Sequence, residues 1–195
     1  MRGEKLYENQ CFRGLNLAND SVEDTVFLEC EFVDCVFSEI ELRRCTLRDC
    51  TFTRCRIDTP KGTQTSVQSV SFDGCFLSGV QWFEFLPGNR YATLFSAVKD
   101  STLRYNTFSQ MKFPQTDFSG LRIVESMFAE CDLAGAIFRG TELSRTEFFR
   151  CDMGNADFRD AIGYQVDLLT CKVKGARFSF PEAVSLLGSL GVKID

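Results

Sequence analysis

The sequence predicts an all-β protein, a narrow four-sided solenoid that ends in a short helix. Three observations predict it. A large apolar residue recurs every fifth position, a compact residue recurs two positions before it, and both patterns give way to a helix-start signal near residue 179. A repeat of this kind has to be found before single strands are assigned, because it dictates the whole fold.

Counting by fives from Phe12 gives Leu17, Val22, Phe27, Phe32, Phe37, Leu42, Leu47, Phe52 and Ile57, and the phase resumes at Val67, Phe72, Leu77 and Trp82. A second series, shifted in register, starts at Leu103 and runs through Phe108, Phe113, Phe118, Ile123, Phe128, Leu133, Phe138, Leu143, Phe148, Met153 and Phe158 to Phe178. Neither a helical period of 3.6 nor a strand period of 2 produces this. Two residues before each centre lies a compact residue, for example Thr25, Ile40, Val70, Ala136, Thr146 and Ala156, and two residues after it Gly recurs at 74, 79, 120, 135, 140 and 175. The position between the compact and large residues is often acidic. Four such units close a coil of about twenty residues, and successive coils hydrogen-bond at strand spacing, about 4.8 Å. Each coil then touches only its neighbours.

The units CDLAG AIFRG TELSR TEFFR CDMGN ADFRD resemble the pentapeptide-repeat family, whose motif is A(D/N)Lxx. The resemblance covers nearly the whole chain and implies a right-handed quadrilateral parallel β-helix. Residues 1–178 are expected to form a single solenoid, and residues 179–195 a C-terminal α-helix and tail.

Nine of the ten cysteines occupy the compact position: Cys30, Cys35, Cys45, Cys50, Cys55, Cys75, Cys131, Cys151 and Cys171; only Cys11 does not. Residues twenty apart stack, so these thiols form columns. A zinc site needs four ligands converging on one ion, whereas a column of parallel side chains offers two sulfurs at most at one level. The cysteines are read as small core residues, and no cofactor or metal is expected.

Two segments break the pattern. In 58–71, Gly62 stands where a large residue belongs, and Pro60 with Gly62 predicts a turn or small surface loop. From about 83 to 102 the register slips by one, because Trp82 to Leu103 spans 21 residues, one coil and one extra. Leu86-Pro-Gly-Asn-Arg90 signals a turn. The aromatics around it, Phe83, Phe85 and Tyr91, with Asn89 and Arg90 at the tip, are candidates for partner binding or a patch on an irregular core.

The tail Ser179-Phe-Pro-Glu182 reads as a capping box with Pro in the first turn, and Gly191 as a stop. Ala183, Leu186, Leu187 and Leu190 make one apolar stripe, flanked by Phe180 and Val184. Such a helix caps the open last coil, pairs with its copy in a homodimer, or does both. The tail is similar to those of pentapeptide-repeat proteins of the Qnr and MfpA type, which build a head-to-head dimer there.

The chain has no His and no Gly-rich phosphate loop, and its acids are spread along faces rather than paired in a filled, cavity-free core. An enzyme is not expected. A net charge of −5 argues against direct nucleic-acid binding, and no apolar segment is long enough for a membrane span or signal peptide, so a cytoplasmic setting is expected. What remains is a non-catalytic binding protein. Acidic rungs such as Asp132, Glu142 and Asp152 suit a DNA mimic, and the resemblance implies DNA gyrase or topoisomerase IV as the protein partner, shielded from quinolones or toxins. Against this, acids outnumber bases only 12 to 8 over residues 1–60 and 11 to 9 over 121–195. The alternative is an interaction scaffold with a different partner.

Overall fold

A computed structural model describes residues 5–85 and 93–192. The chain divides into two units, Met1–Thr102 and Leu103–Asp195, and each is a coil of the right-handed quadrilateral parallel β-helix type.

In the first unit the four sides are four parallel ladders of very short strands. Lys5–Glu8, Thr25–Leu28, Thr46–Arg48 and Ser66–Gln68 stack on the first side. Cys11–Arg13, Glu31–Val33, Thr51–Thr53, Val70–Asp73 and Phe95–Lys99 form the second. The third carries Asn16–Ala18, Val36–Ser38, Arg56–Asp58 and Phe76–Ser78, and the fourth Ser21–Glu23, Glu41–Arg43 and Lys61–Thr63. Pairing is in register at a separation of twenty, as in Phe12 opposite Phe32 and Phe32 opposite Phe52. The second unit repeats the plan with shorter bridges: Lys112 to Asp132 to Asp152 to Lys172, Asp117 to Ile137 to Asp157, and Phe108 to Phe128 to Phe148.

The centres point to the axis and stack as rings. Phe12, Phe32, Phe52 and Phe72 form one column, with successive centroids 5.1, 4.8 and 5.1 Å apart. In the second unit Phe118, Phe138, Phe158 and Phe178 form another, at 5.0, 4.6 and 5.3 Å. Offset stacking along a column and edge contacts between columns are the two favoured aromatic geometries, so Phe fills this axis without strain. In the second unit the filling is complete: Phe108, Phe118, Phe128, Phe138 and Phe158 have no exposed surface. In the first, an apolar cavity of about 320 Å³ follows the axis, lined at its open end by Tyr7, Phe12, Leu17 and Val22. This corrects the expectation of a filled, cavity-free core.

At most corners the residue two after the centre adopts positive φ, whether Gly79 (67°), Asp24 (49°), Arg54 (50°) or Arg150 (53°). The recurring Gly in the sequence marks this left-handed corner, where a Cβ is disfavoured. Thr59 at 43° is the β-branched exception.

Both irregular segments differ from their sequence reading. Residues 58–71 hold no loop: Lys61–Thr63 pairs with Glu41–Arg43 and Ser66–Gln68 with Thr46–Arg48, and Pro60 is buried. Gly62 is required because Phe85, from the turn Trp82–Phe85, enters the space beside it; a Cβ on Gly62 would lie 2.7 Å from the Phe85 ring. Glu84 secures the turn by accepting the Gly62 N–H at 3.0 Å. The register slip also has a different origin. Val70 pairs with Phe95, but Ser71 pairs with Ala97, so the odd residue is a β-bulge at Ser96. The coil there is longer by a whole five-residue unit plus that bulge, since Cys75 N–H meets Ser101, 26 residues on. The turn predicted at residues 86–90 lies outside the described residues.

Candidate partner-binding surface

The compact positions set the interior electrostatics. Each buried thiol donates to the carbonyl of a centre residue one coil back: Cys30 to Tyr7 (3.4 Å), Cys55 to Phe32 (3.3 Å), Cys75 to Phe52 (3.3 Å) and Cys151 to Phe128 (3.2 Å). Threonines do the same, Thr141 to Phe118 and Thr146 to Ile123, both at 2.7 Å. Several also accept the backbone N–H of the compact residue one coil back, as Thr146 does from Ser126 (3.3 Å) and Cys75 from Cys55 (3.3 Å). Where the compact residue is Ala, the corner supplies its own bond: the N–H of Ala136 reaches Leu133 and that of Ala156 reaches Met153, each at 3.0 Å. The position therefore selects small side chains, and at some corners a thiol or hydroxyl there also satisfies a backbone N–H, as at Cys75 and Thr146. Burial pushes the Cys50 thiol up to about 11, away from reactivity.

The exterior carries ion pairs twenty residues apart. Arg44 grips Asp24 (2.6 Å), Arg54 grips Asp34 (2.7 Å), Arg122 grips Glu142 (2.7 Å) and Lys172 meets Asp152 (3.1 Å). Glu125 lies between Arg104 (2.6 Å) and Arg145 (3.2 Å). A hydrogen bond from Arg54 holds the Asp34 carboxyl below its usual range, and Arg159 does the same to Asp157, held at about 2. Of the three acidic rungs, Asp132 and Asp152 adjoin on one side, whereas Glu142 sits two sides away and is neutralised by Arg122. The Asp132–Asp152 ladder is flanked by Lys112 and Lys172 rather than extended by further acids.

Of the aromatic candidates, Phe85 is buried as the plug beside Gly62, and so is Trp82; Phe83 remains half-exposed. Asn89, Arg90 and Tyr91 lie outside the described residues.

The C-terminal helix spans Glu182–Leu190 and is a 3₁₀ helix rather than the α-helix expected. Its period of three splits the predicted stripe. Ala183, Leu186 and Ser189 are half-buried toward the coil, while Val184, Leu187 and Leu190 form an exposed row, with Phe180 84% exposed beside them. The capping box is not formed either; no side chain caps the helix start, although Gly191 ends it at φ 71°. Ser179, Glu182 and Ser189 instead accept backbone N–H groups of the last coil, from Asp160 (3.1 Å), Gly163 (2.6 Å) and Leu168 (3.3 Å). These N–H groups sit where a further coil would have supplied carbonyls. Only the Tyr164 hydroxyl stays buried without a partner among the described residues.

Repeat, coil and corner geometry together are those of the pentapeptide-repeat type of solenoid. Residues 127–162 match the family described as Pentapeptide repeats (8 copies). Among solved structures the chain is similar to a trypsin-treated form of QnrB1, a plasmid-mediated fluoroquinolone resistance protein, at 17% identity and a TM-score of 0.55, covering 97% of this chain and 99% of that one. It is also similar to HetL, a pentapeptide repeat protein involved in heterocyst differentiation regulation from the cyanobacterium Nostoc sp. Strain PCC 7120, at 13% identity, a TM-score of 0.60 and coverage of 90% and 87%. No curated protein matches the sequence. No helix of the described residues is long and apolar enough to cross a membrane.

Proposed function

We propose that this chain is a non-catalytic protein-binding solenoid, and that a type II topoisomerase, DNA gyrase or topoisomerase IV, is the first partner to test. The observation that carries the binding reading is how the side chains are spent: ring columns and compact residues face the inside, and the outside presents ion-paired faces with no metal-binding cluster among the described residues. The likeness to QnrB1 over nearly the full length supports the topoisomerase as partner. Charge supports it less. A DNA mimic needs a continuous negative face, but here the acids at 24, 34, 142 and 152 are each matched by a cation one coil away. That pairing favours the second reading, a scaffold for a different protein. The exposed row of Val184, Leu187 and Leu190 supports a homodimer through the C-terminal helix.

The test is gyrase supercoiling and quinolone-stabilised DNA cleavage with added purified protein. Restored supercoiling or reduced cleavage is expected. No change at any concentration overturns the topoisomerase reading, and a pulldown then identifies the scaffold's partner.

A further inference from the structure

Two exposed apolar side chains of the second unit face one another across a corner of the coil. Tyr105 is 48% exposed and Met127 40%. Neither rests on an apolar neighbour in its own column. Met127 pairs with Thr107 on one side and Glu147 on the other, and the residue twenty after Tyr105 is Glu125. Between them lies a groove of about 350 Å³. The corner residues Tyr105, Glu125 and Arg145 line one wall, and the strand residues Thr107, Met127 and Glu147 line the other.

The floor is already committed to the coil itself. The Ser126 hydroxyl accepts the Asn106 N–H at 3.0 Å and donates to the Val124 carbonyl at 2.9 Å, and the Asn106 amide donates to the Arg104 carbonyl at 2.9 Å. Recognition therefore falls to the walls. The Tyr105 ring is held in place by Arg104, whose guanidinium lies 4.6 Å from the ring centroid and donates to the hydroxyl at 2.8 Å. A ring fixed in advance loses little freedom when a second group packs on it. Arg104 and Arg145 both pair with Glu125, at 2.6 and 3.2 Å. Glu147, on the opposite wall, is exposed and makes no ion pair among the described residues. An aromatic ring and a thioether beside an unmatched carboxylate suit a long aliphatic stem that ends in a cation. Tyr and Met are also the residue types enriched where proteins meet.

We propose that this groove takes an arginine or lysine side chain presented by a protein partner, its stem between Tyr105 and Met127 and its charged head on Glu147. The proposal rests on the binding reading above and gives it a contact on the second unit.

The test is a titration of the full chain, its methionine methyl groups labelled with carbon-13, with N-acetyl-arginine methylamide. For a probe of this size a dissociation constant on the order of 1 mM is expected. The Met127 methyl signal should shift and saturate, while those of the buried Met111 and Met153 stay in place and report an intact core. The citrulline analogue, of the same shape without the charge, should bind about threefold more weakly, the factor an exposed ion pair contributes. In Glu147→Gln the two probes should bind alike. A Met127 signal that does not move well above the expected constant overturns the proposal. So does a parent that binds both probes equally, a Glu147→Gln variant that still prefers arginine, or tighter binding of N-acetyl-glutamate methylamide. No topoisomerase enters the titration, so its failure removes the groove alone, and a negative supercoiling assay leaves the groove in place.

Discussion

Thr146 shows how much one compact residue does. Its hydroxyl donates to Ile123 and accepts from Ser126, joining two coils inside the buried core. Thr146→Val keeps the volume but strands both backbone groups, and should cost about 1–3 kcal/mol, read by chemical denaturation. Thr146→Ser should cost less. The sequence made this position legible as small, with Ile40 as evidence that volume alone suffices; the hydrogen bond was hidden because Ala, Cys and Thr are interchangeable by size. Asp157 offers a second residue-scale test. The Arg159 hydrogen bond holds its carboxyl at about 2, below the usual value near 4 of the unfolded chain. A depressed carboxyl stabilises fully above that unfolded value and loses its contribution as pH falls toward 2. Asp157→Asn should therefore melt below the parent at pH 7, and the gap should close by pH 2.

At the scale of elements, the five-residue period was readable because every unit repeats the same inward pair, whereas the interruptions depend on contacts remote in sequence. Nothing near Gly62 announces that Phe85 fills its place. Gly62→Ala should destabilise the first unit by about 1–3 kcal/mol through overpacking against that ring. Combining it with Phe85→Leu should recover part of the loss, a coupling that a double-mutant cycle in the melting transition measures; strictly additive losses would sink the plug. The tail is similar. Ser179 and Glu182 fit a capping box by spacing, but the open N–H groups of Asp160 and Gly163 are the stronger claim on their oxygens. The apolar stripe was legible as composition, while its split into an inner and an outer row follows from the 3₁₀ winding, which no residue spacing announced.

Over the molecule as a whole, two periods coexist, and they predict different outcomes for deletions. Five residues restore the inward pair; only twenty restore the side, the ring column and the ion-pair ladder. Removing residues 127–146 from the second unit brings Phe148 onto Phe108, ring upon ring as Phe128 was, and returns every later residue to its own side. Stability in a repeat array is a sum of units and nearest-neighbour interfaces. The shortened chain should thus keep its β circular dichroism and a cooperative melt at somewhat lower temperature. Removing only residues 137–141 keeps every compact and large residue inward but turns all later residues by one side. Arg122 then loses Glu142, Asp152 loses its place over Asp132, and the Phe118–Phe138–Phe158 column is broken. The five-residue deletion should therefore destabilise more than the deletion four times its length. Equal or reversed melting temperatures would mean that the coil reads only the inward pair and that the columns along its sides add nothing.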